Sequence, residues 1–243
     1  MERCKKCFCF SKTEFAVMTM AYGIEKLVCF QEPEKEEWSP LQQSEEYNRA
    51  VFGLYKKAML ENSENGLKVS KEAKSIFSIL KECRAVLTTE TKNVAISGYC
   101  LYFGQNEDFI ILRPGTRVGE YIKAERARKE ELQEFLEESG ILPEETISEK
   151  FLEDRQEFPI IGDTILQLLS QDNIKTSEHL RCLTEAETIM VLREPITGIE
   201  IACIGILHQP LQDKIIWMEG KEIKLFPYSI KKTMEVLETL LKS

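Results

Sequence analysis

Twice along the chain, helical periodicity gives way to a block of short runs rich in β-branched and aromatic residues. The first block holds Ala85 to Thr89, Val94 to Phe103 and Phe109 to Leu112, with Gln105-Asn106-Glu107 placed as a hairpin turn. The second holds Thr188 to Leu192, Ile199 to Leu207, Lys214 to Met218 and Glu222 to Phe226, separated by Pro195, Gly198, Pro210 and Gly220. Each block ends in a related tetrad, Ile-Leu-Arg-Pro at 111–114 and Lys-Leu-Phe-Pro at 224–227, and a helical segment follows each. A repeat of this length cannot make a solenoid. It predicts an α+β protein with a pseudo-two-fold central antiparallel β-sheet flanked by helical lobes, its halves being residues 1–145 and 146–243.

The flanking segments carry their own signals. Ser11 and Glu14 have capping-box spacing, and Phe15, Met18, Ala21, Ile24 and Val28 recur at helical intervals, which predicts a helix from about Lys12 to Phe30. Residues 31–43 read as a linker. Ser44 is expected to cap a second helix with Tyr47, Val51, Leu54, Tyr55, Ala58 and Met59 inward, ended by a turn at 62–66. Ser70 is expected to cap a third, burying Ala73, Ile76, Phe77, Leu80 and Cys83. The Glu, Lys, Ala, Arg and Leu of residues 117–139 predict one long helix closed by Gly140. Further helices are expected at 147–156, 160–171 and 230–241, the middle one with Ile161, Ile165, Leu168 and Leu169 inward. Apolar and polar residues alternate only weakly over 199–206, so much of the sheet should be covered on both faces.

Charge and motif content narrow the function. A net charge of -9 without a sustained basic stripe argues against a nucleic-acid partner. The apolar stretches at 15–24 and 199–207 fall short of the roughly 20 residues of a membrane helix. Glu14, Glu25 and Lys26 interrupt the apolar start, so no secretion leader is read and a cytoplasmic protein is expected. Cys29, Cys83, Cys100, Cys182 and Cys203 sit in apolar segments, where a thiol behaves as a small buried hydrophobe. Cys4, Cys7 and Cys9 form a CxxCxC cluster, but zinc normally takes four ligands and no second CxxC or histidine pair is present.

His179 and His208 follow no nucleophile motif, and Ser97-Gly98 and Ser139-Gly140 lack the G-x-S-x-G elbow. There is no phosphate-cradling glycine loop, and the many glutamates fall where charge ordinarily forms a solvated face. No catalytic residue, metal or cofactor is therefore expected. Phe158, Ile160, Ile161, Leu168 and Trp217 are the candidate partner-binding residues, since aromatic and aliphatic groups outside an obvious core supply contact area at protein interfaces.

The order of an apolar first helix, Asn65-Gly66-Leu67 leading through a helix to the strands at 99–103 and 109–114, then strands at 215–218 and 223–227 and a Leu-rich terminal helix, resembles the EspG-like chaperones of type VII (ESX) secretion systems, including Gram-positive relatives associated with LXG toxins. The resemblance implies a two-fold-like sheet with helical lobes and a cytoplasmic role in holding a helical secretion substrate, or a toxin's targeting domain, soluble until export. A preformed groove would cover the cargo's apolar surface. The Cys-rich start and the Glu-rich run at 125–138 depart from that pattern. A homodimer stays open. The competing expectations are an immunity protein whose acidic surface blocks a basic toxin site, and an acid/base hydrolase with a pocket joining a histidine to carboxylates.

Overall fold

A computed structural model of the chain describes residues 7–28, 30, 40–64, 66–91, 98–105, 108–113, 121–145, 186–207, 213–219 and 222–242. The protein is α+β, with antiparallel sheet strands. Two compact units are interleaved along the chain, one of residues 1–88, 98–132 and 193–199, the other of residues 89–97, 133–192 and 200–243.

The first unit opens with a strand that the sequence reading missed, β1 (Cys7–Ser11). Its Cys-Phe-Cys-Phe alternation is the signal: Phe10 is fully buried, whereas Cys7 and Cys9 face solvent. Ser11 ends the strand and caps α1 (Lys12–Ala21) in a complete capping box, accepting the Glu14 N–H at 3.1 Å while the Glu14 carboxylate accepts the Ser11 N–H at 2.6 Å. The helix stops well before Phe30, because Gly23 takes φ +64. Next, α2 (Pro40–Lys56) starts at the proline rather than at Ser44, using a residue that needs no N–H in the first turn. The turn foreseen at 62–66 is the tip of a hairpin, β2 (Leu60–Ser63) with β3 (Gly66–Val69). As expected, Ser70 caps α3 (Lys71–Lys81), which buries Ala73, Ile76, Phe77 and Leu80. Cys83 lies beyond the helix end and is half-buried.

Then come β4 (Ala85–Thr91), β5 (Cys100–Phe103) and β6 (Asp108–Arg113), the foreseen meander, with Val86 opposite Tyr102 and Phe103 opposite Phe109. Of the strand expected over 94–103, residues 94–97 lie outside the described residues, and Gly98, at φ +95, and Tyr99 are not strand. The long helix expected over 117–139 is not formed. Tyr121–Arg128 is instead strand β7, paired with β6 on one side and β1 on the other, in the order β1-β7-β6-β5-β4. Good helix formers fill this segment, but Ile122 and Ala124 alternate with Lys123, and two strand partners outweigh local propensity. Phe10, Phe15, Phe77, Tyr22 and Phe30 form the aromatic centre of the core, with ring centroids 4.9–5.7 Å apart. Edge-on, tilted and stacked pairs of this kind add roughly 0.5–1.5 kcal/mol beyond their buried area.

The second unit takes in a short helix, α4 (Leu132–Glu138), which follows a single 3-10 turn at 129–131. Gly140, at φ +70, closes it as foreseen, and the Ile141 and Leu142 N–H groups donate to the Leu136 carbonyl. A second meander has β8 (Ala186–Arg193), β9 (Glu200–Leu207), β10 (Lys214–Glu219) and β11 (Glu222–Pro227) in sequential order. All six residues from Ala202 to Leu207 are buried, so β9 is covered on both faces as its weak alternation predicts. Helix α5 (Ile230–Lys242) lays Met234, Val236, Leu237, Leu240 and Leu241 into the unit. Tyr228 fixes its start, donating from its hydroxyl to the Pro143 carbonyl at 2.7 Å, and the Ile230 N–H donates to the Glu145 carboxylate at 2.7 Å. Burial, then the nearby Glu145, Asp213 and Glu137 carboxylates, push the Tyr228 hydroxyl far above its usual range.

Candidate interaction surface

Helix α2 carries large apolar residues outside its buried face. Ala50 and Leu54 are buried on the inner face. Phe52 and Tyr55, three residues apart, and Leu41, three turns before Phe52 with the polar Glu45 and Asn48 between them, lie away from that face and are all exposed, Phe52 at 58%. Tyr47 and Tyr55, expected inward, are both exposed, while Ala50 and Leu54 are buried and Val51 is packed against the core.

The β2–β3 hairpin extends this outer surface. The Asn62 side-chain amide donates to the Tyr55 hydroxyl at 3.0 Å, and Asn62 stands directly across the ladder from Leu67, itself half exposed. Opposite residues in an antiparallel pair share a face, so Leu67 lies on the side of the hairpin that reaches Tyr55. Lys56 sits over the Phe52 ring at 4.6 Å, holding the ring by a cation–π contact while leaving its edge open. Tyrosine and phenylalanine spend little conformational entropy when they dock, which suits them to contact surfaces.

A second exposed apolar feature in the same unit is the loop at 194–199. The Glu194 carboxylate accepts N–H groups from Ile196 and Thr197, and the Thr197 hydroxyl adds a second bond from its own residue. These hydrogen bonds, the Thr197 side chain first, hold the Glu194 carboxyl below its usual range. Gly198 takes φ +72, and its carbonyl accepts from Arg193, whose Nε also donates to Thr88 Oγ1 at 3.3 Å. The tip is thus locked, and it presents Ile196 and Ile199 at 74% and 65% exposure.

In the second unit, a cleft of about 460 Å³ is lined by Gln133, Glu145, Ile230, Lys231, Met234, Glu235 and Glu238. Three carboxylates face one lysine there, so the cleft is acidic. Its lining residues include no histidine, hydroxyl or thiol nucleophile.

Of the candidate residues read from the sequence, Phe158, Ile160, Ile161 and Leu168 lie outside the described residues, as do the expected helices at 147–156 and 160–171, Trp38, His179 and His208. Trp217 is on β10, half-buried and stacked on Phe226 with centroids 6.5 Å apart, and Lys232 lies over the Phe226 ring at 5.2 Å. The residues missed were those of the outer α2 face. Their signal was a phenylalanine at position 52, off the stripe that Val51 and Leu54 define. Cys100 and Cys203 are buried thiols as read, and Cys7 and Cys9 are exposed. Among the described residues, no helix is long and apolar enough to cross a membrane.

No protein-family model matches the chain, and neither does any curated protein.

Proposed function

We propose that this protein works by binding another polypeptide rather than by catalysis, as a cytoplasmic chaperone or adaptor that keeps a helical type VII secretion substrate soluble and export-competent. The observation that supports this reading is the outer α2 face, where Leu41, Phe52 and Tyr55 are exposed and the hairpin continues the surface to Leu67. An amphipathic helix laid across such a surface would bury its apolar stripe against rings already held in place. Anchors of this kind lose about 2 kcal/mol or more when truncated, close to a thirtyfold loss of affinity.

The test is purification of the chain from its native cell, wild type beside the double variant Phe52→Glu and Tyr55→Glu. The expected result is a stoichiometric helical substrate with the wild type and its loss with the variant, whose circular dichroism stays unchanged. Equal recovery from both proteins would refute the assignment of this surface. The acidic cleft favours a second reading, an immunity protein that neutralises a basic toxin site. Under it, the recovered partner is a toxin catalytic domain, and binding weakens with salt and with Glu235→Lys rather than with the α2 variant.

A further inference from the structure

Cys7 and Cys9 are two residues apart on β1, so their side chains leave the same face of the strand. Phe8 and Phe10 occupy the other face, with Phe10 in the core. Both thiols are free and exposed. The strand is not loose: all five of its residues are in register with β7, Cys7 opposite Glu125 and Cys9 opposite Lys123. Lys57 adds a clamp from outside the sheet, its Nζ donating to the Cys9 carbonyl at 3.0 Å.

Geometry decides what such a pair can do. Two residues of extended strand separate Cα atoms by about 6.4–6.8 Å, the far end of the range for a disulfide, whose Cα atoms usually lie about 5.5–6 Å apart. Closing that bond would require the strand to pucker against its ladder. A bridging ion adds the length of two metal–sulfur bonds, about 2.3 Å each for a thiolate, and removes the need for distortion. We propose that Cys7 and Cys9 form a two-thiolate site for a soft monovalent metal ion of the copper(I) class. Thiolate ligands select soft ions, and two-fold coordination satisfies copper(I) but not zinc, which normally takes four ligands. Among the described residues, no group of three or more His, Cys, Asp and Glu is placed to hold a metal.

The exchange balances as two thiols and one monovalent cation giving a bis-thiolate complex of charge -1 and two released protons, with no change of oxidation state. Uptake displaces the proton of each thiol. Lys123, across the ladder from Cys9, offsets the charge of the complex.

The experiment is anaerobic titration of the full chain with copper(I) held by bicinchoninate, following loss of the chelator's colour and growth of thiolate-to-metal absorption in the ultraviolet. One equivalent should transfer to the wild type and to Cys83→Ser and Cys4→Ser, and none to Cys7→Ser or Cys9→Ser. Both last variants alter exposed side chains and should keep the wild-type circular dichroism. Failure of the wild type to compete with the chelator, transfer that survives Cys7→Ser and Cys9→Ser, or loss of transfer in Cys4→Ser alone would each overturn the two-thiolate site.

Discussion

The contact between Glu14 and Gly53 makes an unusual stability prediction, a substitution whose sign depends on a second residue. The Glu14 side chain is 8% exposed and is held by two partners, the Ser11 N–H at 2.6 Å and Lys57 Nζ at 2.5 Å. Helix α2 passes so close that a Cβ built on Gly53 would stand 2.3 Å from Glu14 Oε1, nearer than real Cβ contacts come. In Gly53→Ala the carboxylate must therefore leave. That forfeits a capping interaction of about 1 kcal/mol and an ion pair with the partly exposed Lys57 of up to about 1 kcal/mol. Against this, alanine in a helix interior gains about 1 kcal/mol over glycine. The net expectation is a loss of about 1 kcal/mol in the wild-type background. In Glu14→Ala, itself about 2 kcal/mol less stable, the obstruction is gone, and Gly53→Ala should stabilise by about 1 kcal/mol. The coupling, about 2 kcal/mol, lies within the range of contacting residues. Urea denaturation of the four proteins, followed by far-ultraviolet circular dichroism, measures it. If Gly53→Ala raises the stability of both backgrounds equally, the close approach does not exist and the argument fails.

Three further outcomes are expected. Burial, the largest influence, pushes the Cys83 thiol from 9.0 up to about 11, so above pH 9 the folded chain keeps a proton that the unfolded chain releases. The stability this provides is complete below pH 9 and lost as pH rises towards about 11; Cys83→Ala should flatten that part of a pH–stability curve relative to wild type. Gly198→Ala should cost about 1 kcal/mol in the same urea assay, because its added Cβ meets only an ordinary contact with Val28 at 3.7 Å and the penalty is that of φ +72 alone. Ser70→Ala should cost about 1 kcal/mol by unsealing the first turn of α3, where the serine side chain accepts the Ala73 N–H.

Local chemistry was legible where it was also decisive. The Ser11–Glu14 box, the Ser70 cap, Gly140 at its helix end and the strands of both meanders stand where their residues say they should, because caps, turns and β-branched runs act over a few residues. The misreadings have one common cause, a partner distant in sequence. Residues 121–128 look helical alone and become a strand between β6 and β1, and β1 itself hid behind an apparent metal-ligand spacing. The outer face of α2 was harder still. Tyr47 and Tyr55 fit an amphipathic stripe on paper, and only the contacts that α2 makes with distant parts of the chain decide which of its apolar residues are buried.

Strand β1 is made long before the strand it pairs with. Its ladder partner is more than a hundred residues further along the chain, so at usual synthesis rates Phe8 and Phe10 wait on the order of ten seconds before β7 emerges. During that interval the capping box can already form, since Ser11 and Glu14 are neighbours, and α1 can nucleate while the strand before it is still unpaired. A nascent chain built this way exposes two phenylalanines while bystanders on the ribosome can reach them, and they gain protection only when roughly a whole domain's length has followed.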